Sequence, residues 1–124
     1  MHLDLKDYPQ KILWAYRDLV EFEETLMLQK FLRKGDTFID VGANAGLFSK
    51  LAIQSVGVDG KIICFEPNPL ALKSLRSNLS SHKQTEIFES YAGDKGDHSS
   101  GTETITLDNS IKGRVDFIKI DVDG

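Results

Sequence analysis

Thr37-Phe38-Ile39-Asp40-Val41-Gly42-Ala43-Asn44-Ala45-Gly46 is the stretch that decides the fold. Thr37 to Val41 reads as a short buried strand, and it runs straight into a glycine turn. Beyond Gly46 the apolar residues Leu47, Phe48, Leu51, Ala52 and Val56 recur at helical spacing, and Gly57 closes the helix. A strand, a glycine turn and a helix in direct succession form the layout that places a ligand at a helix N-terminus. In this reading Gly42 and Gly46 remove side chains that would hold a ligand away from the backbone. The run is not the dinucleotide fingerprint G-x-G-x-x-G, because Asn44 stands where the second glycine belongs. A nicotinamide or flavin site therefore loses ground.

Downstream, Asp59-Gly60 turns the chain into Lys61-Ile62-Ile63-Cys64-Phe65-Glu66, four of whose consecutive residues are apolar, the pattern of a strand covered on both faces. Asn68 is suited to cap the next helix and Pro69 to open it, and Leu72, Leu75 and Leu79 give that helix one apolar face. Glu86 to Tyr91 reads as a third strand and Val115 to Val122 as a fourth. Between them lie a polar loop, Gly93 to Gly101, a small extra strand at Thr104 to Leu107, and a turn at Asp108-Asn109-Ser110. Upstream, Leu19 to Leu32 suits an amphipathic helix, with Arg33 and Lys34 in its last turn and Gly35 just past its end. Ile12 to Tyr16 is apolar and fits either a helix or a strand. Strands alternating with helices predict an α/β fold with a parallel sheet and right-handed crossovers.

Composition sets the outer limits. The chain has 124 residues, with 15 Lys and Arg against 19 Asp and Glu, a formal charge of −4. No general attraction to nucleic acid or acidic lipid is expected from that balance. The single cysteine, Cys64, cannot form an intrachain disulfide or a cysteine-rich zinc site, and its apolar strand suits a small core residue. No run of about 18 apolar residues appears, and no secretory leader is visible at Met1 to Asp7, so a cytoplasmic protein without a membrane span is expected. His82 and His98 fall in polar loops and His2 is terminal, so solvated imidazoles are the simplest reading.

Glu66 is the second chemical signal. An acid closing the second strand can accept hydrogen bonds from both hydroxyls of a ribose in the crevice beside it. Together with the glycine turn it points to an adenosine-containing cofactor. Three blocks now stand in order: Asp40-Val41-Gly42-Ala43-Asn44-Ala45-Gly46, then Phe65-Glu66-Pro67-Asn68-Pro69, then Leu107-Asp108 and Ile118-Lys119-Ile120-Asp121-Val122-Asp123-Gly124. In that order they resemble the FkbM family of class I S-adenosylmethionine-dependent methyltransferases, over about Gly35 to Gly124.

The resemblance implies a Rossmann-like methyltransferase fold whose first four strands lie in the order 3-2-1-4. It assigns Asp40, Gly42, Ala43, Asn44 and Gly46 to the methionine part of S-adenosylmethionine, Glu66 to the ribose, and Pro67 and Asn68 to the neighbourhood of the adenine. Ala92 to Asp94, with Asp94 the named contact, would flank the adenine as well. Asp121, at the end of strand four, would face the transferred methyl and the acceptor. Asp123 stands where the family usually has Glu, one methylene longer. Asp121 could take a proton from an acceptor hydroxyl or hold a cation that does so; equally, it could bond a loop or the cofactor's amino group. No metal site is expected. Lys119, inside strand four, either pairs with Asp40 or Asp121 or reaches solvent along the strand edge, the latter being slightly favoured.

These readings divide the chain into a helical lead-in, residues 1–34, and the N-terminal part of a methyltransferase domain, residues 35–124. The family's full domain has further strands beyond strand four, so a truncated domain with an uncovered apolar edge is expected, open to self-association. The leading function is O-methylation of a small-molecule hydroxyl, of sugar or polyketide type, with no nucleic acid and no membrane partner. A cofactor-binding half-domain without turnover is the alternative, and a nucleotide-binding oxidoreductase the more distant one.

Overall fold

The computed structural model describes residues 22–93 and 103–122. Four parallel strands form the sheet: β1 (Thr37–Val41), β2 (Lys61–Phe65), β3 (Thr85–Phe88) and β6 (Phe117–Ile120), in the spatial order β3-β2-β1-β6. This is the order expected from the sequence, strand four being β6. Helix α2 (Leu47–Val56) joins β1 to β2, and α3 (Pro69–Leu79) joins β2 to β3. Residues 22–31 form the described part of a first helix, α1. No helix of the described residues is long and apolar enough to cross a membrane.

The two-residue alternation of a strand divides β1 and β2 between two cores. Phe38, Ile62 and Cys64 face α1, α2 and α3 and pack with Leu28, Leu32, Ala52, Leu72 and Leu75. Ile39, Val41, Ile63 and Phe65 face the opposite side, packed against Phe88, Ala92, Ile105, Leu107 and Val115. Burial on both faces is why these strands read as nearly unbroken apolar runs. Leu28 of α1 and Leu32 just past its end, one helical turn apart, reach the core, while Phe22, Leu26, Met27 and Phe31 stay exposed. Helix α3 opens as its sequence predicts: Asn68 Oδ1 accepts the Leu70 N–H at 2.9 Å, and Pro69 needs no N–H partner in the first turn.

Several segments differ from the sequence reading. Strand β3 stops at Phe88 rather than Tyr91, because β2 ends where the chain turns at Pro67 and leaves nothing beyond Glu66 to pair with. The Glu66 N–H takes the Phe88 carbonyl at 3.1 Å, and the chain then bends. Tyr91–Ala92 forms a separate short strand, β4, parallel to β5 (Thr104–Ile105). The expected turn at Asp108-Asn109-Ser110 is a single helical turn, α4 (Leu107–Ser110), capped by Thr106. Beyond β6, the sheet has no further strand among the described residues, and Ile118, Ile120 and Val122 are exposed. The polar loop from Gly93 onward and the apolar stretch at Ile12 to Tyr16 lie largely or wholly outside the described residues.

Candidate cofactor site

The carboxyl ends of β1, β2 and β6 converge on a cavity of about 380 Å³, lined among others by Gly42, Asn44, Glu66, Asn68, Tyr91 and Asp121. Its position follows from topology. The strand order reverses direction beside β1, and the loops leaving neighbouring strands there diverge and open a crevice.

Glu66 organises this crevice. Its side chain is buried, and each carboxylate oxygen accepts one backbone N–H: Oε2 from Asn44 and Oε1 from Asn68, both at 2.8 Å. The acid therefore ties the glycine turn to the start of α3. A carboxylate has about four lone-pair sites, so each oxygen keeps one for a further donor. Asn44 holds its N–H toward Glu66 with φ at 50°, a left-handed conformation that Asn tolerates better than most residues.

The two glycines of the turn also stand where neighbouring segments press close. A Cβ on Gly42 would lie 2.0 Å from the Asp121 carbonyl oxygen, and one on Gly46 would lie 2.6 Å from Leu75 Cδ1. The missing side chains let β6 and α3 approach the turn. They make room for the protein itself, and only the Gly42 backbone lines the cavity. Ala43 likewise belongs to the core, with its N–H donated to the Phe65 carbonyl at 3.1 Å.

Asp40 lies on the helix-facing side of the sheet and does not line the cavity. It is 1 % exposed and accepts the Ser49 hydroxyl at 2.6 Å, and Ser49 Oγ also lies 3.1 Å from Cys64 Sγ. Burial raises the Asp40 carboxyl above the ordinary range, opposed by the Ser49 hydrogen bond and by the positive charge of Lys119. Burial also pushes the Cys64 thiol up to about 12. Cys64 is the core residue its sequence suggests.

Lys119 corrects the favoured reading that it reaches solvent. Its side chain is only 10 % exposed, with Nζ 4.0 Å from Asp40 Oδ1, 3.4 Å from Asp121 Oδ2 and 4.5 Å from the centre of the Phe48 ring. An inward lysine on a strand needs partners for its charge, and here it has two acids and an aromatic face. Asp121 is exposed, and its N–H bonds the Val41 carbonyl at 3.0 Å, which fixes the end of β6 against β1.

Of the residues assigned from the sequence, Gly42, Asn44, Glu66, Pro67, Asn68 and Asp121 line the cavity, whereas Asp40, Ala43 and Gly46 are buried and do not line it. Asp94 and Asp123 lie outside the described residues. Ser90, Tyr91 and Ala71 line the cavity too and were not singled out in the sequence. Tyr91 had a signal, an aromatic at the end of a strand next to the loop assigned to the adenine. Ser90 had none, because the bend that brings it to the cavity is a tertiary feature. The described residues contain no group of three or more His, Cys, Asp or Glu side chains arranged to hold a metal.

A parallel sheet in this order, with a crevice above the glycine turn and an acid ending the second strand, is the Rossmann-like methyltransferase fold. Residues 19–123 match the FtsJ-like methyltransferase family, and the chain belongs to it. The family match begins at residue 19, inside the segment that the sequence reading set apart as a lead-in. No curated protein matches the chain. Among solved structures, it is similar to a protein titled as an rRNA-methylase of Clostridium thermocellum, at a TM-score of 0.62 and 16% identity over 77% of this chain and 47% of that one. It is also similar to an rRNA methylase of Streptococcus thermophilus, at 0.56 and 16% over 76% of this chain and 45% of that one. At such identity the likeness shows the fold. The chain spans about half the length of each.

Proposed function

We propose that this chain binds S-adenosylmethionine in the crevice at the ends of β1, β2 and β6 and directs its methyl group to a hydroxyl oxygen. The observation that carries this reading is the Glu66 carboxylate, buried at the centre of the cavity, held by two backbone N–H groups and left with one lone pair on each oxygen. That arrangement suits the two adjacent hydroxyls of a ribose, and a cavity of about 380 Å³ falls within the usual range for small-ligand sites. When bound, the cofactor's sulfonium supplies an activated methyl group. The chain's own task is then alignment. Pro67, Asn68 and Ala71 line the cavity together with Gly42 and Asn44. Asp121, exposed at the margin and steadied by Lys119, accepts the proton of the incoming hydroxyl.

For the acceptor, the likeness to FkbM methyltransferases favours a small molecule bearing a sugar or polyketide hydroxyl. A second reading, an RNA acceptor, is favoured by the two structurally similar proteins that carry the name rRNA methylase. Within the same proposal the chain works in the cytoplasm, where the buried Cys64 thiol stays reduced.

The test is calorimetric titration of the chain with S-adenosylhomocysteine, alongside Glu66→Gln. Saturable binding, weakened in the variant, is expected. Absence of binding, or tighter binding of NADH, would overturn the proposal. Transfer of labelled methyl from S-adenosylmethionine to sugar and polyketide hydroxyls, compared with ribosomal RNA, then separates the two acceptors.

A further inference from the structure

Two charged side chains line the cavity, Glu66 and Asp121, and both are acids; among the described residues no lysine, arginine or histidine lines it. Each oxygen of Glu66 is engaged by a backbone N–H, whereas Asp121 Oδ2 meets a charge, Lys119 Nζ at 3.4 Å. Lys119 is in turn the register partner of Asp40 across β1 and β6, with its Nζ 4.0 Å from Asp40 Oδ1. One ammonium is therefore shared by two carboxylates, one deep in the core and one at the cavity.

Asp40 is the member of this row that packing leaves unexplained. Its Oδ2 accepts the Ser49 hydroxyl at 2.6 Å, but its Oδ1 is buried without a hydrogen-bond partner. Lys119 lies within reach of its charge and beyond hydrogen-bond length. An asparagine could accept the same Ser49 bond without bringing a charge out of water, so hydrogen bonding gives no reason for an acid here. Charge does give one. Lys119 facing Asp121 alone would cancel it, leaving the cavity margin neutral. With Asp40 as a second acid, the row keeps a surplus of one negative charge. A ligand that brings a positive charge to this margin is then favoured over the same ligand without it. S-adenosylmethionine and S-adenosylhomocysteine are such a pair, differing by one methyl group and the positive charge of the sulfonium.

We propose that Asp40 and Lys119 are positioning residues that act through Asp121: together they set the negative charge of the cavity margin, so that it selects S-adenosylmethionine over S-adenosylhomocysteine. This rests on the cofactor reading of the cavity. A change of charge acts on the ratio of the two affinities, whereas a packing defect weakens both alike. A unit charge acting over about 10 Å, at an effective dielectric of about 20 to 80, changes such a ratio by about two- to fifteenfold.

The experiment measures the affinities of both ligands by calorimetry for the unaltered chain, Asp40→Asn, Lys119→Met, Asp40→Asn/Lys119→Met, Asp121→Asn and Glu66→Gln. Asp40→Asn leaves the lysine to cancel Asp121, so the preference for S-adenosylmethionine is expected to fall by that factor. Removing the lysine as well leaves Asp121 uncancelled, so the double variant is expected to recover the preference although two core residues have changed. Lys119→Met alone is expected to hold or raise it, and Asp121→Asn, at an exposed position, to lower it. Equal losses of both affinities in Asp40→Asn, with the ratio unchanged, overturn the proposal. So does a double variant whose ratio stays low, or a lowered ratio in Lys119→Met. Should Asp40→Asn fail to fold, an unchanged ratio in Asp121→Asn overturns it instead. Binding of both ligands by the unaltered chain, weakened in Glu66→Gln but with no change of ratio in Asp40→Asn, removes this inference and leaves the cofactor reading standing. Binding of neither ligand overturns both.

Discussion

Glu66→Gln separates the structural and binding duties of one side chain. The native carboxylate accepts the N–H groups of Asn44 and Asn68 on different oxygens, both at 2.8 Å. Glutamine keeps one acceptor oxygen and turns its NH₂ toward the other N–H, so one bond is lost and two donors face each other. A hydrogen bond to a charged group contributes about 1.5–3 kcal/mol. The neutral amide is also easier to bury than the carboxylate, which offsets part of that loss and leaves a net cost of about 1–3 kcal/mol. With a urea slope of about 1.5 kcal/mol per M, the unfolding midpoint should drop by about 0.7–2 M. Glu66→Ala loses both acceptors and should fall further. Urea titration followed by circular dichroism measures both, with an unchanged slope as the check that the unfolding transition itself is the same. A Gln midpoint equal to that of the unaltered chain would refute the idea that this acid ties the turn to α3. Because the Gln variant should remain folded without urea, its loss of S-adenosylhomocysteine affinity reports the ribose contact and not unfolding.

The remaining predictions concern the turn and the polar group beneath it. Gly42→Ala adds a left-handed alanine, costing about 1–2 kcal/mol, and sets a Cβ 2.0 Å from a backbone carbonyl oxygen that no rotamer change can move. Melting temperature and S-adenosylhomocysteine affinity should therefore fall together, whereas Gly46→Ala, which meets the movable tip of Leu75, should lower mainly the former; equal affinity losses would contradict this. Burial raises the Asp40 carboxyl, so between its unfolded and folded pKa the native chain holds more protons and this acid's contribution to stability declines as pH rises. Asp40→Asn cannot ionise, so its stability relative to the unaltered chain should improve with pH across that window and then level off; a flat difference in urea titrations over pH would count against the assignment. Cys64, fully buried with its thiol pushed up to about 12, should resist a disulfide reagent at about pH 8 and react only in urea. Rapid labelling of the native chain would contradict the packing described.

Much of this architecture was legible in the sequence because its signals are local. Asn68 and Pro69 mark a helix start through backbone hydrogen bonding within three residues, and the structure has that cap. The apolar runs of β1 and β2 announce burial on both faces, and their order in the chain, with helices between, restricts the sheet to few topologies. Glu66 was recognisable by its place at the end of a strand. Its two bonds to Asn44 and Asn68 were not, since they depend on how closely the turn approaches α3. Lys119 shows the limit most clearly. Alternation within the strand indicates that it points away from Ile118 and Ile120, yet whether that direction meets solvent or Asp40 depends on α2 and Phe48 lying across the strand.

The sequence by itself determined the strand–turn–helix order, the acid at the end of β2 and the class of cofactor they suit, because each depends on backbone preference and on the periodicity of neighbouring residues. Only the tertiary structure decided that Gly42 and Gly46 make room for β6 and α3, why Asp40 lies behind the cavity, and how Ser90 comes to line it with a hydroxyl unpaired. Those outcomes depend on distances between segments far apart in the chain, such as Gly42 to Asp121 and Gly46 to Leu75. Packing fixes such distances, and no spacing along the sequence encodes them.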